Sequence, residues 1–590
     1  MRLADYVIQF LEKKKIDTVF TVSGGGSIFL CDALYKAKKL KYISCHHEQA
    51  SAYAAEGYAR NKNSVGCSIV TTGPGGTNSV SGVSCCWIDS IPMLFISGQV
   101  YLNQTVGNSG IRQIGVQETD IVPIVKSNTK FSVVIKDPNS IKFYLEKAFY
   151  ICSEGRPGPV WIDIPADIQN SNVEPNKLPS FKPKIKGKNK IENKIIKIAN
   201  LLYKAKKPII HLGHGARISK SQNLARKFVE KHKIPFALTW NASDLIDHNH
   251  PLYVGKPGAF AERGSNFIIQ SCDLYISIGT RLPFMITGYN SSDFARNAKK
   301  IMVDIDNNEL NKKNTKFIDM HIESDANFFL TKLSSAMSKI RKENKGWQKY
   351  CRSIRKKFPI VENSYKYEKN INSYYFIEVL SKCLNSKYTV VTDMGLSFVG
   401  THQAFKLKKG QRLFTNSGHA PMGWGLPAAV GAFFSNKKRH IICLSGEGGF
   451  QMNLQELSTV MHHKIPLKIF IFNNGGYLTI KQTQELGFNK RIMGADKKSG
   501  ISFPNYRDIS RAHKIRYVSI KNNNNLIYKI KDVLSKKGAV ICELFMSHSQ
   551  EQQPKAINRR DKNGKTIPTT FEDMYPFIDK KLIKESFYND

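Results

Sequence analysis

Two apolar runs, Ile441-Ile442-Cys443-Leu444 and Leu467 to Phe472, constrain the chain most, because each stops abruptly at a polar turn. The first meets Gly446-Glu447-Gly448 and the second Asn473-Asn474. Short apolar runs bounded by turn residues are what strands buried on both faces look like. A carboxylate and an amide oxygen at the carboxyl ends of two parallel strands form a hard-ligand pair, suited to Mg2+ when phosphates complete its shell. Open α/β sheets bind their ligands at those strand ends. An acid between glycines is otherwise an ordinary turn. The asparagine pair after a second strand makes Glu447 and Asn474 candidate metal ligands.

With 590 residues, the chain suits three domains, each with room for a core. Its 41% apolar and 23% charged residues are those of a globular protein. No apolar stretch is long enough to span a bilayer, and the start, Met1-Arg2-Leu3-Ala4-Asp5, lacks a signal-peptide pattern. The expectation is a cytoplasmic protein with no membrane partner. Eleven cysteines, with only Cys85-Cys86 close together, read as reduced buried thiols and give no zinc-like spacing. The net charge of +41 attracts phosphates. Its lysines are scattered, densest in stretches such as Lys182-Pro183-Lys184-Ile185-Lys186-Gly187-Lys188, and no nucleic-acid module accompanies them. The reading is a solvated basic surface with no nucleic-acid partner and a mild attraction for a phosphorylated substrate.

Strand and helix patterns alternate through three stretches, which predicts α/β domains with doubly wound parallel sheets. The first, 1–172, closes on Val160-Trp161-Ile162-Asp163-Ile164-Pro165. A Pro-, Lys- and Asn-rich linker leads to the second, 195–335, with strand candidates Pro208 to Leu212 and Leu274 to Ile278. A charged connector over 340–370 leads to the third, 371–548, which opens on Tyr388-Thr389-Val390-Val391-Thr392. A polar, turn-rich tail occupies 549–590. The first and third stretches are not sequence repeats, although they could share topology.

Ordered motifs then carry a family resemblance. The first stretch holds His46-His47-Glu48-Gln49-Ala50, Ala55 to Arg60, Thr72-Gly73-Pro74-Gly75-Gly76-Thr77-Asn78, Ser97 to Val100 and Val116-Gln117-Glu118-Thr119. Further on come Ser127 to Lys130, Gly155-Arg156-Pro157-Gly158-Pro159-Val160, Pro421-Met422-Gly423-Trp424-Gly425 and Gly448 to Asn453. In order and spacing these resemble the thiamine-diphosphate enzymes of the acetohydroxyacid (acetolactate) synthase family, over roughly residues 1 to 550. The resemblance implies thiamine diphosphate and Mg2+ as cofactors, with Gly476 joining Glu447 and Asn474 at the metal. It implies that Glu48 is the activating acid. Its proton on the cofactor's pyrimidine nitrogen favours the imino tautomer that removes the thiazolium C2 proton, and an apolar cleft helps a carboxyl keep that proton. Met422 would wedge the two cofactor rings together, where a methionine could otherwise simply fill a core gap. Gly25 and Gly26 would approach the reacting centre, and Gln117 and Lys130 would stand near the substrate. Pro74, Asn78, Gly395, Gly418, Gly446, Gly448 and Gly449 are further cofactor-contact candidates. The family's active site is shared between subunits, so a homo-oligomer is implied.

The central stretch resembles the family's flavin domain, which implies FAD at Gly213, Gly215, Arg281, Asp304 and Arg156; some members keep this domain without the flavin. Four positions depart from the family pattern: Glu447 for an aspartate, Val116 for an aromatic residue, Thr483 for an acceptor-selecting tryptophan, and Met285 for the arginine that grips a second 2-oxo acid. A carboxylate acceptor needs such a cation. The expectation is decarboxylation of a 2-oxo acid, pyruvate, and carboligation to a carbonyl acceptor. A nucleotide-linked keto-sugar would suit, similar to the acetolactate-synthase-like enzymes of surface-polysaccharide pathways. Acetolactate synthase itself and a simple 2-oxo acid decarboxylase stay open as alternatives. A basic nucleic-acid-binding protein is the reading from a different class.

Overall fold

The computed structural model describes residues 1–183, 190–560 and 566–588. Residues 184 to 188 of the lysine-rich linker lie outside the described residues, as do 561–565 and 589–590 of the tail. The apolar runs form strands β1 (Thr18–Thr21), β2 (Lys41–Ser44), β3 (Gly66–Val70), β4 (Met93–Gln99), β5 (Phe131–Val134) and β6 (Pro159–Pro165) in the first unit. The second holds β7 (Pro208–Leu212), β8 (Phe236–Leu238), β9 (Leu274–Ile278), β10 (Lys299–Asp304) and β11 (Met320–Glu323). The third holds β12 (Tyr388–Thr392), β13 (Arg412–Phe414), β14 (His440–Gly446), β15 (Lys468–Asn473), β16 (Arg516–Ile520) and β17 (Val540–Phe545).

The sheet orders are β2-β1-β3-β4-β6-β5, β11-β10-β9-β7-β8 and β13-β12-β14-β15-β17-β16. Every pairing in these three sheets is parallel. The first and third sheets share one topology without sharing a sequence. Each sheet has a switch point where the winding reverses: between β1 and β3, β7 and β9, and β12 and β14. A crevice opens there outside the carboxyl ends of the strands. The loops that follow those strands carry most of the residues singled out from the sequence.

Two helices weld the first unit to the third. Glu48–Lys62 crosses Gly425–Ser435 where glycines permit it. A Cβ on Gly431 would fall 1.8 Å from the Ala54 carbonyl oxygen, and one on Gly57 would fall 2.2 Å from that of Ala428. Beside the crossing, Arg60 is buried between Glu56 (2.7 Å) and Asp89 (2.6 Å). Trp424 Nε1 and Asn416 Nδ2 also donate to Glu56, at 2.7 and 2.8 Å, and Asn241 of the central unit donates to Asp89. One polar network thus joins all three units.

The connector is more than a charged link. Residues Lys345–Lys357 form a helix whose buried Trp347, Cys351 and Ile354 recur at helical spacing among lysines. That stripe docks on the helix Arg263–Ser271, with Gly264 set against the Ile354 backbone. The tail is docked too. Arg263 donates to the carbonyls of Met574 and Pro576, and Arg296 pairs with Glu572 at 2.9 Å. Among the described residues no helix is long and apolar enough to cross a membrane.

Candidate active site

At the third switch point, Glu447 opens a helix directly after β14 and is 2% exposed. Its Oε2 accepts the Asn474 N–H at 2.7 Å. Burial pushes this carboxyl up to about 7, against the pull of the Asn474, Gly476 and Gly475 N–H groups. Asn474, just past β15, is also buried, and its Oδ1 has no donor. Two buried oxygen groups, one with a desolvated charge and one orphaned, fit a hard cation. Among the described residues no three His, Cys, Asp or Glu side chains cluster for a metal, so an ion here would take phosphate oxygens besides these groups. Gly476, at φ +151°, is in turn pressed against Ala495, whose carbonyl oxygen would lie 2.0 Å from a Cβ.

The neighbouring glycines divide by use. A Cβ on Gly395 or Gly446 would meet nothing within 4 Å, so both leave open space at the strand ends. Gly448 instead makes room for the Tyr477 ring (1.9 Å) and Gly449 for Asp393 (2.7 Å). Asp393, which the sequence reading passed over, is 1% exposed. It accepts from Met394 N (2.8 Å), Gly423 N (3.1 Å) and Ser445 Oγ (3.0 Å), and burial pushes it up to about 6. It therefore clamps the loop of the half-buried Met422 to the ends of β12 and β14. Its signal was available: an acid two residues before a glycine, at the end of an apolar strand.

At the first switch point, Glu48 is half-buried at the start of its helix, and its Oε2 accepts Asn78 Nδ2 at 2.9 Å. Pro74 begins the short helix that carries Asn78, and Gly25 lies open to solvent after β1. Gly26 donates to Thr71 Oγ1 at 3.1 Å. Gln117 has φ +65°, a left-handed conformation unusual for a side-chain-bearing residue, and its carbonyl oxygen would lie 2.1 Å from a Cβ on Gly73. Glu48, Asn78, Pro74, Gly25, Gly26 and Gln117 thus share one edge of the sheet. Lys130 does not join them. Its N–H bonds the Pro159 carbonyl at the amino end of β6, the opposite edge, and its Nζ reaches the Glu154 carbonyl at 2.5 Å.

The central switch point opens into a cleft of about 270 Å3 that gathers Arg156, Gly215, Arg281, Asp304 and Gly418, with Met285 on its wall. Gly213 serves packing, since a Cβ would fall 2.0 Å from the Gly279 carbonyl oxygen. Arg156 is paired with Asp306 and Glu309, each at 2.8 Å, and Arg281 donates to the Ile88 carbonyl. Thr280 Oγ1 is buried and unpartnered, a vacant hydroxyl for a polar ligand. Burial also pushes His214 down to about 4, keeping the imidazole neutral. Gly418 packs against Asp89 and Ile88, which places it at this cleft beside the first unit.

Within one chain the Glu48 end of the first unit meets residues past the helix that Glu447 starts. His46 N donates to Glu456 Oε1 at 2.9 Å, and Asn453 Nδ2 to Gln49 Oε1 at 3.3 Å. Apolar side chains stand exposed on both halves: Val116 at 86% near Gln117, and Met493 at 82% with Leu486 and Phe488 beyond Thr483.

Three sheets with ligand-ready switch points, and a buried carboxylate–amide pair at the third, define a thiamine diphosphate-dependent α/β enzyme. Residues 1–124 match the family model "Thiamine pyrophosphate enzyme, N-terminal TPP binding domain", 195–333 the central domain, and 393–544 the C-terminal TPP binding domain. The chain is 31% identical over 571 residues to the acetolactate synthase large subunit of Cyanidium caldarium, covering 93% of this chain and 94% of that protein. It is 30% identical over 553 residues to the Lactococcus lactis large subunit (93% of each) and 28% over 551 residues to the Escherichia coli isozyme 1 large subunit (93% and 95%). The chain belongs to the acetolactate synthase family of thiamine diphosphate enzymes, catalysts of the transferase/lyase kind.

Proposed function

We propose that the enzyme decarboxylates pyruvate and joins the resulting two-carbon unit to a carbonyl acceptor larger than a second pyruvate. The observation that carries the decarboxylation half is the buried Glu447 beside the orphaned Asn474 Oδ1, which fits a diphosphate-bound Mg2+. Thiamine diphosphate, when bound, supplies the nucleophilic carbon and the electron sink for loss of CO2. Glu447, Asn474 and the Gly476 carbonyl would hold the metal. Glu48, oriented by Asn78, would hold the proton that the pyrimidine needs. Met422, set by the Asp393 clamp, would pack against the cofactor. Gln117, Gly25 and Gly26 face the 2-oxo acid.

The two half-sites lie on different units and each is flanked by exposed apolar side chains. We therefore assign the complete site to a homo-oligomer, with Glu48 of one chain opposite Glu447 of another. Lys130, on the opposite edge of its own sheet, stays outside this half-site. The central cleft, with its unpartnered Thr280 hydroxyl, neutral His214 and paired arginines, suits FAD in a supporting role.

Acceptor choice rests on Met285 and Thr483. Met285 puts an uncharged side chain on the cleft wall, and Thr483 is a small exposed residue on the helix Leu478–Gly487. Losing one charge-assisted contact to a carboxylate is worth about 1.5–3 kcal/mol, roughly ten- to a hundred-fold in transition-state binding. Carbon-labelled pyruvate, supplied alone and then with keto-sugar nucleotides, tests this. The expected result is little acetolactate from pyruvate alone and faster CO2 release when the keto-sugar is added. Efficient acetolactate formation without an added acceptor returns the enzyme to acetolactate synthase.

A further inference from the structure

Beneath the Gln117 loop lies a buried carboxyl that the reading above leaves without a task. Asp163, on β6, is 1% exposed. Its partners are neutral: Ser97 Oγ donates to Oδ1 at 2.5 Å and Gln99 Nε2 to Oδ2 at 3.1 Å. Burying a carboxyl against neutral donors is costly, and here it pushes the group up to about 7. A residue there only to fill the core would not need a charge.

The geometry shows what the acid determines. Gln99 uses its whole amide. Nε2 donates both to Asp163 and to the Thr119 carbonyl (2.9 Å), two residues past Gln117. Oε1 accepts from Val100 N (3.0 Å) and from Thr72 Oγ1, the residue before Gly73. The Gly26 loop rests on the same spot. A Cβ on Gly26 would fall 2.8 Å from Thr72 Cγ2, and one on Gly98 would fall 2.0 Å from the Gly26 carbonyl oxygen. Two strand-end loops therefore meet on one amide, and the Gly26 loop packs beside it against Thr72 and Gly98. With Oδ1 accepting from Ser97 and Oδ2 from Gln99, the carboxyl turns the Gln99 NH2 toward itself and the oxygen toward Thr72. On the other side, Ser97 Oγ accepts from Trp161 Nε1 at 2.8 Å, which leaves its hydrogen for Asp163. An asparagine at 163 presents a donor to one of these donors. If Gln99 flips in response, its oxygen faces the Thr119 carbonyl and its NH2 faces the Val100 N–H.

We propose that Asp163 is a positioning residue, which through the Gln99 amide holds the strained Gln117 turn and the Gly26 loop in register for the 2-oxo acid. The inference rests on the reading that Gln117 faces that substrate. It predicts a defect confined to substrate handling, because Glu48, Asn78 and the metal pair lie outside the network.

The test uses the holoenzyme with Mg2+ and thiamine diphosphate. For Asp163→Asn, kcat/KM for pyruvate should fall about ten- to a hundred-fold, the cost of misplacing a substrate-aligning group by about 1 Å. Cofactor affinity and hydrogen–deuterium exchange at the cofactor C2, measured without pyruvate at a temperature where the variant is folded, should stay at the parent's values. Gln99→Met, which breaks the same bonds without changing charge, should reproduce this pattern and serves if Asp163→Asn does not fold. Cofactor affinity and C2 exchange falling in step with turnover would make Asp163 a structural residue and overturn the proposal. So would unchanged kcat/KM in both variants while Gln117→Ala is impaired. If Gln117→Ala itself leaves kcat/KM unchanged, the reading of Gln117 is what fails.

Discussion

Arg60→Met probes how the three units are held together. The Arg60 side chain is 1% exposed, and the carboxylates of Glu56 and Asp89 beside it are 0% and 5% exposed. Methionine keeps most of the volume and removes the cation. Breaking a buried ion pair from one side costs about 3–5 kcal/mol, because the remaining charge is left unpaired in a medium that cannot solvate it. Donors stay behind on both acids, Trp424 Nε1 and Asn416 Nδ2 on Glu56 and Ser417 N (3.2 Å) on Asp89. The lower end, about 3 kcal/mol, is therefore expected. Urea denaturation followed by tryptophan fluorescence reads the loss, and Glu56→Gln added to Arg60→Met should restore part of it. The pH dependence has a definite sign. Burial already pushes the Glu56 carboxyl above its ordinary value, with Arg60 foremost among the groups opposing it, so removing Arg60 raises it further. The folded variant then binds a proton that the unfolded chain releases, and its deficit shrinks as pH falls from neutrality into that raised range. A variant within about 0.5 kcal/mol of the parent at neutral pH, the range of an inconsequential substitution, would refute the network as a joint.

Glu48→Gln should keep Mg2+ and thiamine diphosphate binding while slowing C2 proton exchange by about two to four orders of magnitude, the range of general-acid assistance; nuclear magnetic resonance in deuterated buffer measures it. Glu447→Asp should retain cofactor binding, and Glu447→Ala should abolish its Mg2+ dependence, checked by titration of cofactor-quenched fluorescence. Subunit exchange between Glu48→Ala and Asn474→Ala proteins should restore activity to the mixture. Exchange proven by mass spectrometry without any recovery would place both residues in one chain's site.

What could be known from sequence alone was local. The strand runs Pro208–Leu212, Leu274–Ile278 and Tyr388–Thr392 were legible because burial on both faces favours runs that are mostly apolar and β-branched. The Glu447 and Asn474 turns were legible because a ligand loop at a strand end is written within a few residues of that strand. Tertiary structure decided the rest, because it depends on groups far apart in the chain. Glu56 meets Asn416 across 360 residues and His46 meets Glu456 across 410, and no local pattern marks either acid as buried. Asp163 sits in a run whose alternation shows only that it is a strand. Its role comes from Gln99 and Thr119, which a different sheet order would have carried elsewhere. Lys130 shows the same limit in reverse: the motif named the residue, and the direction of β5, which it precedes, put it on the opposite edge from Gln117. Motifs specify which groups a site contains, whereas strand order, crossing helices and burial decide which of them meet.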